Sequence, residues 1–210
     1  FLHPELNRRS GLVQRFLQEA RVVARIQSPH VVRVSDVDQT PDGLAFIVME
    51  YIEGKSLQTV YEDNYRDGKT LEYEQALDYA MQLLDGLEVA HAAGIVHRDL
   101  KPDNVMITRG AKGTPLLKIL DFGIAKLKVE GEHVKGLTRP GVVMGTPEYM
   151  APEQAFSADQ VDARADVFAF GVMLFEMLAG RRPVGGDEPH QIAAQYLAGE
   201  IAKLRDLAPH

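Results

Sequence analysis

The feature that most restricts the fold of this 210-residue chain is an ordered set of three short motifs between residues 97 and 153. Residues 97–104 read His-Arg-Asp-Leu-Lys-Pro-Asp-Asn, residues 121–123 read Asp-Phe-Gly, and residues 151–153 read Ala-Pro-Glu. If each residue type has a frequency of about 5%, the first motif alone arises by chance roughly once in 10¹⁰ starting positions. A chance origin of the set is therefore negligible, and its order constrains the whole chain.

The first fifty residues predict an amphipathic helix followed by a β-hairpin. Apolar residues recur at three- and four-residue steps over 12–26, and Ser28-Pro29 then ends the helical pattern. Two strand-like stretches follow at 31–37 and 44–52. The Pro41-Asp42-Gly43 turn between them combines a residue with fixed φ and one that accepts positive φ, which predicts a hairpin.

The rest of the chain is predicted to be mainly helical. A helical apolar stripe covers 71–91 and is followed by Gly94, a residue typical of a helix end. Short β-branched stretches then alternate with polar loops, and residues 128–148 have no periodicity and predict a long, functional loop. The β-branched stretches are 95–96, 105–107 and 116–120, and two further helices are predicted, a fully buried one at 167–178 and another at 191–204.

Composition excludes several classes of protein. The net charge is −7, so the chain lacks the basic field typical of nucleic-acid or anionic-membrane binders. Without cysteine it forms no disulfide, thiolate nucleophile or Cys-based metal site. The longest apolar run, 167–175, is about half of the ~18 residues that suggest a membrane span, and no targeting signal opens the chain. These observations predict a soluble, intracellular globular protein.

Taken together, the three motifs resemble those of a serine/threonine protein kinase catalytic domain, most closely the bacterial branch. The resemblance covers essentially the whole chain. It implies an α+β, bilobal protein-kinase-like fold with a partial β-rich N-lobe over residues 1–52 and a mainly helical C-lobe over 53–210. The N-lobe part would contain the helix, the hairpin and the hinge.

The resemblance implies four catalytic residues. Asp99 would accept the proton of the substrate hydroxyl, and Lys101 would offset charge on the γ-phosphate of ATP. Asn104 and Asp121 would hold Mg²⁺, since oxygen donors of this kind suit that ion beside phosphate oxygens. Asp103 fits the motif and is interpreted as structural.

Further residues would bind ATP or support its site. Glu19 matches the helix glutamate that pairs with the ATP-binding lysine, and Met49 matches the gatekeeper. The backbone of Glu50 and Ile52 would hydrogen-bond adenine, and Met106 would form the floor of the adenine pocket. The resemblance also implies a spine of stacked apolar side chains, formed by Val23, Val34, His97 and Phe122. Asp166, in the buried helix, would anchor the loop that contains Asp99. His30 and His91 are expected to be structural.

The stretch 121–153 resembles an activation segment. Thr138 lies seven residues before Gly145, where bacterial relatives often carry a phosphothreonine, and Arg98 is the expected partner of that phosphate. Thr146 is expected to bond Asp99 and Lys101 near the substrate hydroxyl.

Two family features do not occur in these residues. There is no Gly-x-Gly-x-x-Gly loop, and no Val-Ala-x-Lys strand precedes Glu19. We expect the ATP lysine to stand directly before Phe1, and the terminal helices of the larger lobe to follow His210. The 210 residues alone are therefore expected to bind ATP poorly.

Three functional classes follow from the resemblance. The leading one is a cytoplasmic kinase domain that uses ATP and Mg²⁺ to phosphorylate Ser/Thr hydroxyls of protein substrates, without contacting nucleic acid or membrane. The alternative is a pseudokinase that binds or scaffolds partners. A small-molecule phosphotransferase ranks below both, because it would not be expected to carry the activation segment and Ala-Pro-Glu.

Overall fold

The computed structural model describes residues 1–2, 4–7, 10–122, 147–156, 161–186 and 188–208. Within these ranges the strands are β1 (Val34–Gln39), β2 (Ala45–Met49), β3 (Lys55–Ser56), β4 (Val105–Arg109) and β5 (Pro115–Ile119). The helices are α1 (Pro4–Asn7), α2 (Ser10–Val23), α3 (Leu57–Arg66), α4 (Tyr73–Ala92), α5 (Pro152–Phe156), α6 (Ala163–Ala179), α7 (Pro189–Ala198) and α8 (Leu204–Leu207).

The predicted helix and hairpin at the start of the chain are confirmed. Strands β1 and β2 pair antiparallel, with Gln39 opposite Ala45 and an irregularity in the register between Val34 and Asp36. Gly43 has φ +86 in the connecting turn, which explains the glycine there. Helix α2 packs on this hairpin and buries Val13 and Phe16 in a small apolar cluster with Ala45.

A second sheet, in the order β3-β4-β5, lies beside the long helices. Strand β4 pairs antiparallel with both neighbours, so that Met106 lies opposite Ser56 on one side and Lys118 on the other. The isolated pair Val31–Ile119 connects the segment before the hairpin to the edge strand β5. The two sheets are thus tied together close to the residues that follow β2.

The main core is formed by α4 and α6 against the second sheet. Helix α4 confirms the predicted helix and ends before Gly94, which has φ +75. Leu83, Leu117 and Met173 are fully buried in this core. Helix α6 is capped by Asp162, whose Oδ1 accepts the N–H of Arg164 at 2.9 Å, and it ends at Gly180 with φ +68.

Three predictions of secondary structure or burial were wrong in part. Residues 95–96 form no strand, because the N–H of Ile95 bonds the carbonyl of Ala90 and completes the end of α4. The helix predicted at 191–204 ends at Ala198, since Gly199 adopts φ +72. The helix predicted to be fully buried has Val167 54% exposed, because the described part of the chain leaves that face uncovered.

No helix in the described ranges is both long enough and apolar enough to cross a membrane.

Candidate active site

The buried carboxylate of Asp166, in the first turn of α6, anchors the loop that contains Asp99. Its Oδ2 accepts the N–H of His97 at 2.7 Å, and its Oδ1 accepts the N–H of Arg98 at 2.8 Å. The side chain of Asp166 is 1% exposed. Hydrogen bonds to a desolvated carboxylate are strong, so this anchor fixes the loop to the helix core. The anchoring role predicted for Asp166 is confirmed.

Arg98 has a left-handed backbone with φ +62. This conformation costs an L-residue with a Cβ roughly 1–2 kcal/mol, so the surrounding structure must stabilise it. The bond from Arg98 N–H to Asp166 supplies part of that stabilisation. As a result, the backbone turns immediately before Asp99.

The ring of His97 connects the loop of Asp99 to the segment that leads into Asp121. Its Nε2 donates to the carbonyl of Leu120 at 2.7 Å, and its Nδ1 accepts the N–H of Asp99 at 3.2 Å. Burial lowers the pKa of His97, although the charge of Asp166 opposes the shift. A neutral ring with its proton on Nε2 satisfies both contacts.

Asn104 completes this arrangement from the 3-10 turn Pro102–Asn104. Its Nδ2 donates to the carbonyl of Asp99 at 2.8 Å, and its own carbonyl accepts the N–H of Leu120 at 2.8 Å. Asp121 follows Leu120 and has φ +49. Asn104 therefore bonds the backbone of Asp99 through its side chain and that of Leu120, the residue before Asp121, through its carbonyl.

The donor set suits Mg²⁺ bound with a phosphate. Because Asn104 Nδ2 is committed to Asp99, the amide Oδ1 is the Asn104 atom suited to a cation. The described residues contain no group of three or more His, Asp or Glu side chains arranged to hold a metal. Mg²⁺ commonly uses one or two protein oxygen ligands and completes its shell with phosphate and water, so Asn104 and Asp121 fit this ion.

Glu19 faces Arg98, the residue before Asp99. Burial raises the pKa of Glu19, while the positive charges of Arg98 and Arg15 oppose the shift. The Nε of Arg98 is buried and has no hydrogen-bond partner in the described part of the chain. No lysine precedes Glu19 in the sequence of 210 residues.

An ion pair fixes the segment expected to be the hinge. Glu50 Oε1 accepts the N–H of Arg33 at 2.8 Å and a bond from Lys118 Nζ at 2.6 Å. Burial alone would raise the pKa of Glu50, but these two hydrogen bonds, together with the positive charges of Lys118 and Arg33, outweigh it and lower the pKa. Lys118 lies opposite Met106 in the sheet. Met106 of β4 therefore lies close to residues 50–52, which follow Met49 at the end of β2.

The residues of the expected spine are close together. Val23, Val34 and Phe122 belong to one buried cluster, and the ring centroid of His97 is 4.9 Å from that of Phe122.

A polar cluster around Glu176 was not predicted from the sequence. Tyr149 donates to Glu176 Oε2 at 2.5 Å, and Tyr65 donates to Glu176 Oε1 at 3.4 Å. Arg182 pairs with Glu148 at 2.7 Å. Burial raises the pKa of Glu176, and burial together with that carboxylate raises the pKa of Tyr65 to about 12. Each of these residues is an ordinary surface or core residue by pattern, and their long separation in sequence concealed the cluster.

Two more contacts were also missed. His91, predicted to be structural, has its Nε2 2.8 Å from Asp166 Oδ2. Gln154 Nε2 donates to the carbonyl of Arg98 at 3.0 Å. No periodicity or spacing would have indicated either contact. Thr138 and Thr146, with most of the 128–148 loop, lie outside the described residues.

Comparison with known proteins finds similar proteins over nearly the whole length of the chain. The family model described as "protein kinase domain" matches residues 4–208. The chain is 40% identical over 208 residues to the serine/threonine-protein kinase pkn2 of Myxococcus xanthus, with 99% of this chain and 24% of that protein covered. It is also 40% identical over 199 residues to the serine/threonine-protein kinase PksC of Streptomyces coelicolor, covering 93% of this chain and 34% of that protein.

A solved structure is similar over nearly the same extent. The crystal structure of the Mycobacterium tuberculosis PknI kinase domain matches with a TM-score of 0.67 and 27% identity, covering 99% of this chain and 69% of that one. The predicted α+β, bilobal kinase-like fold is confirmed. The chain spans about a quarter to a third of the length of the two curated relatives. It belongs to the protein kinase domain family.

Proposed function

We propose that this chain is the catalytic part of a serine/threonine protein kinase, which transfers the γ-phosphate of ATP to a hydroxyl of a protein substrate. The observation that carries the proposal is the double contact of His97, which bonds Asp99 on one side and Leu120, next to Asp121, on the other. A proton acceptor and a metal ligand held in one rigid arrangement suit phosphoryl transfer, which depends on positioning and charge stabilisation. The names of the relatives support Ser/Thr as the acceptor type.

In this proposal each residue of the loop has a separate task. Asp99 accepts the proton of the attacking hydroxyl as the new P–O bond forms and the bond to ADP breaks, and Lys101 offsets charge on the transferred phosphoryl group. Asn104 and Asp121 would hold Mg²⁺, which when bound neutralises phosphate charge. The extended backbone of Lys101, with φ −161, directs the chain into the turn that presents Asn104.

ATP would lie between the hairpin and the second sheet. The backbone of Glu50 and Ile52 would bond adenine, Met49 would border the pocket, and Met106 would form its floor. The ion pair of Glu50 with Lys118 supports this assignment, because it holds the hinge against β5. Glu19 would orient the ATP lysine. The cytoplasm, where ATP is available, is the location we propose for this domain.

Arg98 is proposed to receive a phosphate carried by Thr138. Its buried Nε, which has no hydrogen-bond partner among the described residues, supports this role, since a phosphate offers strong acceptor oxygens. Thr146 is proposed to bond Asp99 and Lys101 beside the substrate hydroxyl. The test is to map phosphosites on the active protein: unmodified Thr138, together with full activity of Thr138→Ala, would remove the regulatory role.

The acceptor type is tested with the protein expressed from the complete gene. We expect it to transfer labelled phosphate from Mg·ATP to a mixed protein substrate, with phosphoserine and phosphothreonine as the labelled residues. ATP binding measured by calorimetry separates the alternatives. A folded protein that binds no ATP would favour a pseudokinase scaffold, and labelled phosphotyrosine would contradict the Ser/Thr assignment. The 210 residues alone are expected to bind Mg·ATP much more weakly than the complete protein.

A further inference from the structure

The side chain of Gln154 connects the segment after Tyr149 to the catalytic loop. Gln154 lies in α5, next to Glu153 of the Ala-Pro-Glu motif. Its Nε2 donates to the carbonyl of Arg98 at 3.0 Å, across 56 positions of sequence. Its Oε1 accepts the N–H of Ala151 at 3.0 Å. The amide therefore uses both its donor and its acceptor on backbone groups.

The carbonyl bonded by Gln154 belongs to the peptide unit that joins Arg98 to Asp99. The same peptide unit donates its N–H, that of Asp99, to His97 at 3.2 Å. The preceding peptide unit donates the N–H of Arg98 to Asp166 at 2.8 Å. The left-handed Arg98 is thus fixed on both sides, by Asp166 before it and by Gln154 and His97 after it.

The orientation of this peptide unit sets ψ of Arg98 and φ of Asp99, and it therefore contributes to the direction of the Asp99 side chain. Rotation of the unit would move the Asp99 carboxylate while the helix anchor at Asp166 stayed in place. A cavity between the loop and α6 is lined by Asp99, Tyr149, Met150 and Gln154. This cavity, of about 10 Å³, leaves the peptide unit without close packing on that side, so the contact from Gln154 contributes to fixing its orientation.

We propose that Gln154 is a positioning residue for Asp99: it holds the Arg98–Asp99 peptide unit in the orientation that directs the Asp99 carboxylate to the substrate hydroxyl. This inference rests on the proposed function of Asp99 as the proton acceptor. Gln154 acts through the backbone and does not touch the reacting atoms. Errors of about 1 Å in the placement of a catalytic group are sufficient to slow a reaction strongly.

The chemistry of the amide makes the proposal specific. A glutamate at position 154 could still accept from Ala151, but while ionised it would place a carboxylate against the Arg98 carbonyl with no proton to donate. When protonated it could donate again. A leucine could do neither at any pH.

The test compares Gln154→Leu and Gln154→Glu with the unaltered protein expressed from the complete gene, using Mg·ATP and a protein substrate. Gln82→Leu is the matched control, because Gln82 also donates to one backbone carbonyl, Pro115, and accepts from one backbone N–H, Leu117, away from the loop. We expect Gln154→Leu to lower kcat about tenfold with KM for ATP within twofold. For Gln154→Glu, we expect kcat at pH 7.5 to fall about as far as for Gln154→Leu, because the ionised glutamate has no proton to donate to the Arg98 carbonyl.

The outcomes separate this inference from the proposed function. The positioning role is overturned if Gln154→Leu keeps the kcat of the unaltered protein, or if Gln82→Leu lowers kcat as much. It is also overturned if Gln154→Glu keeps the kcat of the unaltered protein at pH 7.5. If Asp99→Asn transfers phosphate as fast as the unaltered protein, the proposed function itself fails, and the inference fails with it.

Discussion

The carboxylate of Asp166 accepts the backbone N–H of Arg98 at 2.8 Å, although the two residues are separated by 68 positions in sequence. This bond crosses from the start of α6 to the loop before Asp99, and it is made to a residue with φ +62. A buried charge thus offsets the cost of a left-handed residue beside the proposed proton acceptor. The geometry of the site therefore depends on a residue that does not contact substrate.

Replacing Asp166 with Asn is expected to destabilise the protein by about 3 kcal/mol, because the amide can accept with one oxygen only and a buried N–H then loses its partner. We also expect kcat for phosphoryl transfer to fall at least tenfold. Thermal unfolding and steady-state kinetics measure the two effects. Asp162→Asn is the matched control on the same helix, since asparagine caps helices as well as aspartate does. Equal effects of the two substitutions would contradict the anchoring role.

Replacing Asp121 with Asn is expected to raise the Mg²⁺ concentration that gives half-maximal activity by at least tenfold, because a neutral amide binds the ion more weakly than a carboxylate does. Activity is measured across a Mg²⁺ titration at fixed ATP. Asp103→Asn serves as the control, since Asp103 lies on the same loop and is interpreted as structural. A Mg²⁺ requirement that does not change in Asp121→Asn would show that this side chain holds no metal.

The sequence permitted prediction of the helix, the hairpin and the fold family, because these depend on local patterns and on ordered motifs. It did not permit prediction of contacts that a local pattern does not encode. The bond of Gln154 to Arg98 and that of Tyr149 to Glu176 join residues far apart in sequence. The exposure of Val167 was not predicted either. An apolar helix pattern shows which side chains can be buried, and it does not show whether another element covers them.

Replacing Tyr149 with Phe is expected to lower the free energy of unfolding by about 2 kcal/mol at neutral pH, because the buried carboxylate of Glu176 then loses a hydrogen bond. The matched substitution Tyr65→Phe, which removes a longer bond to the other oxygen, should cost less. Chemical denaturation of both variants provides the measurement. If Tyr65→Phe were the more damaging change, the assignment of Tyr149 as the main partner of Glu176 would be wrong.

The pKa of His97 is lowered by burial, so acid should destabilise the fold through this residue. Above the unfolded-state pKa of about 6.5, the ring is neutral in both states and its contacts contribute fully. Below that pH the unfolded chain binds a proton that the folded chain does not, so stability falls, by at most about 1.4 kcal/mol per pH unit. Comparing the free energy of unfolding at pH 7.5 and 5.5 tests this. His97→Phe should show the smaller dependence on pH, and an unchanged dependence would exclude His97 as the cause.

We propose that Asp99 is essential for phosphoryl transfer, and intact-mass measurement after incubation with Mg·ATP detects this transfer without a chosen substrate. The protein expressed from the complete gene and its Asp99→Asn variant are compared, and ATP affinity is measured for both to show that the site has remained folded. If Asp99 has this role, the unaltered protein gains phosphate and the variant, with the same ATP affinity, gains none. Equal gain of phosphate by the two proteins would contradict it.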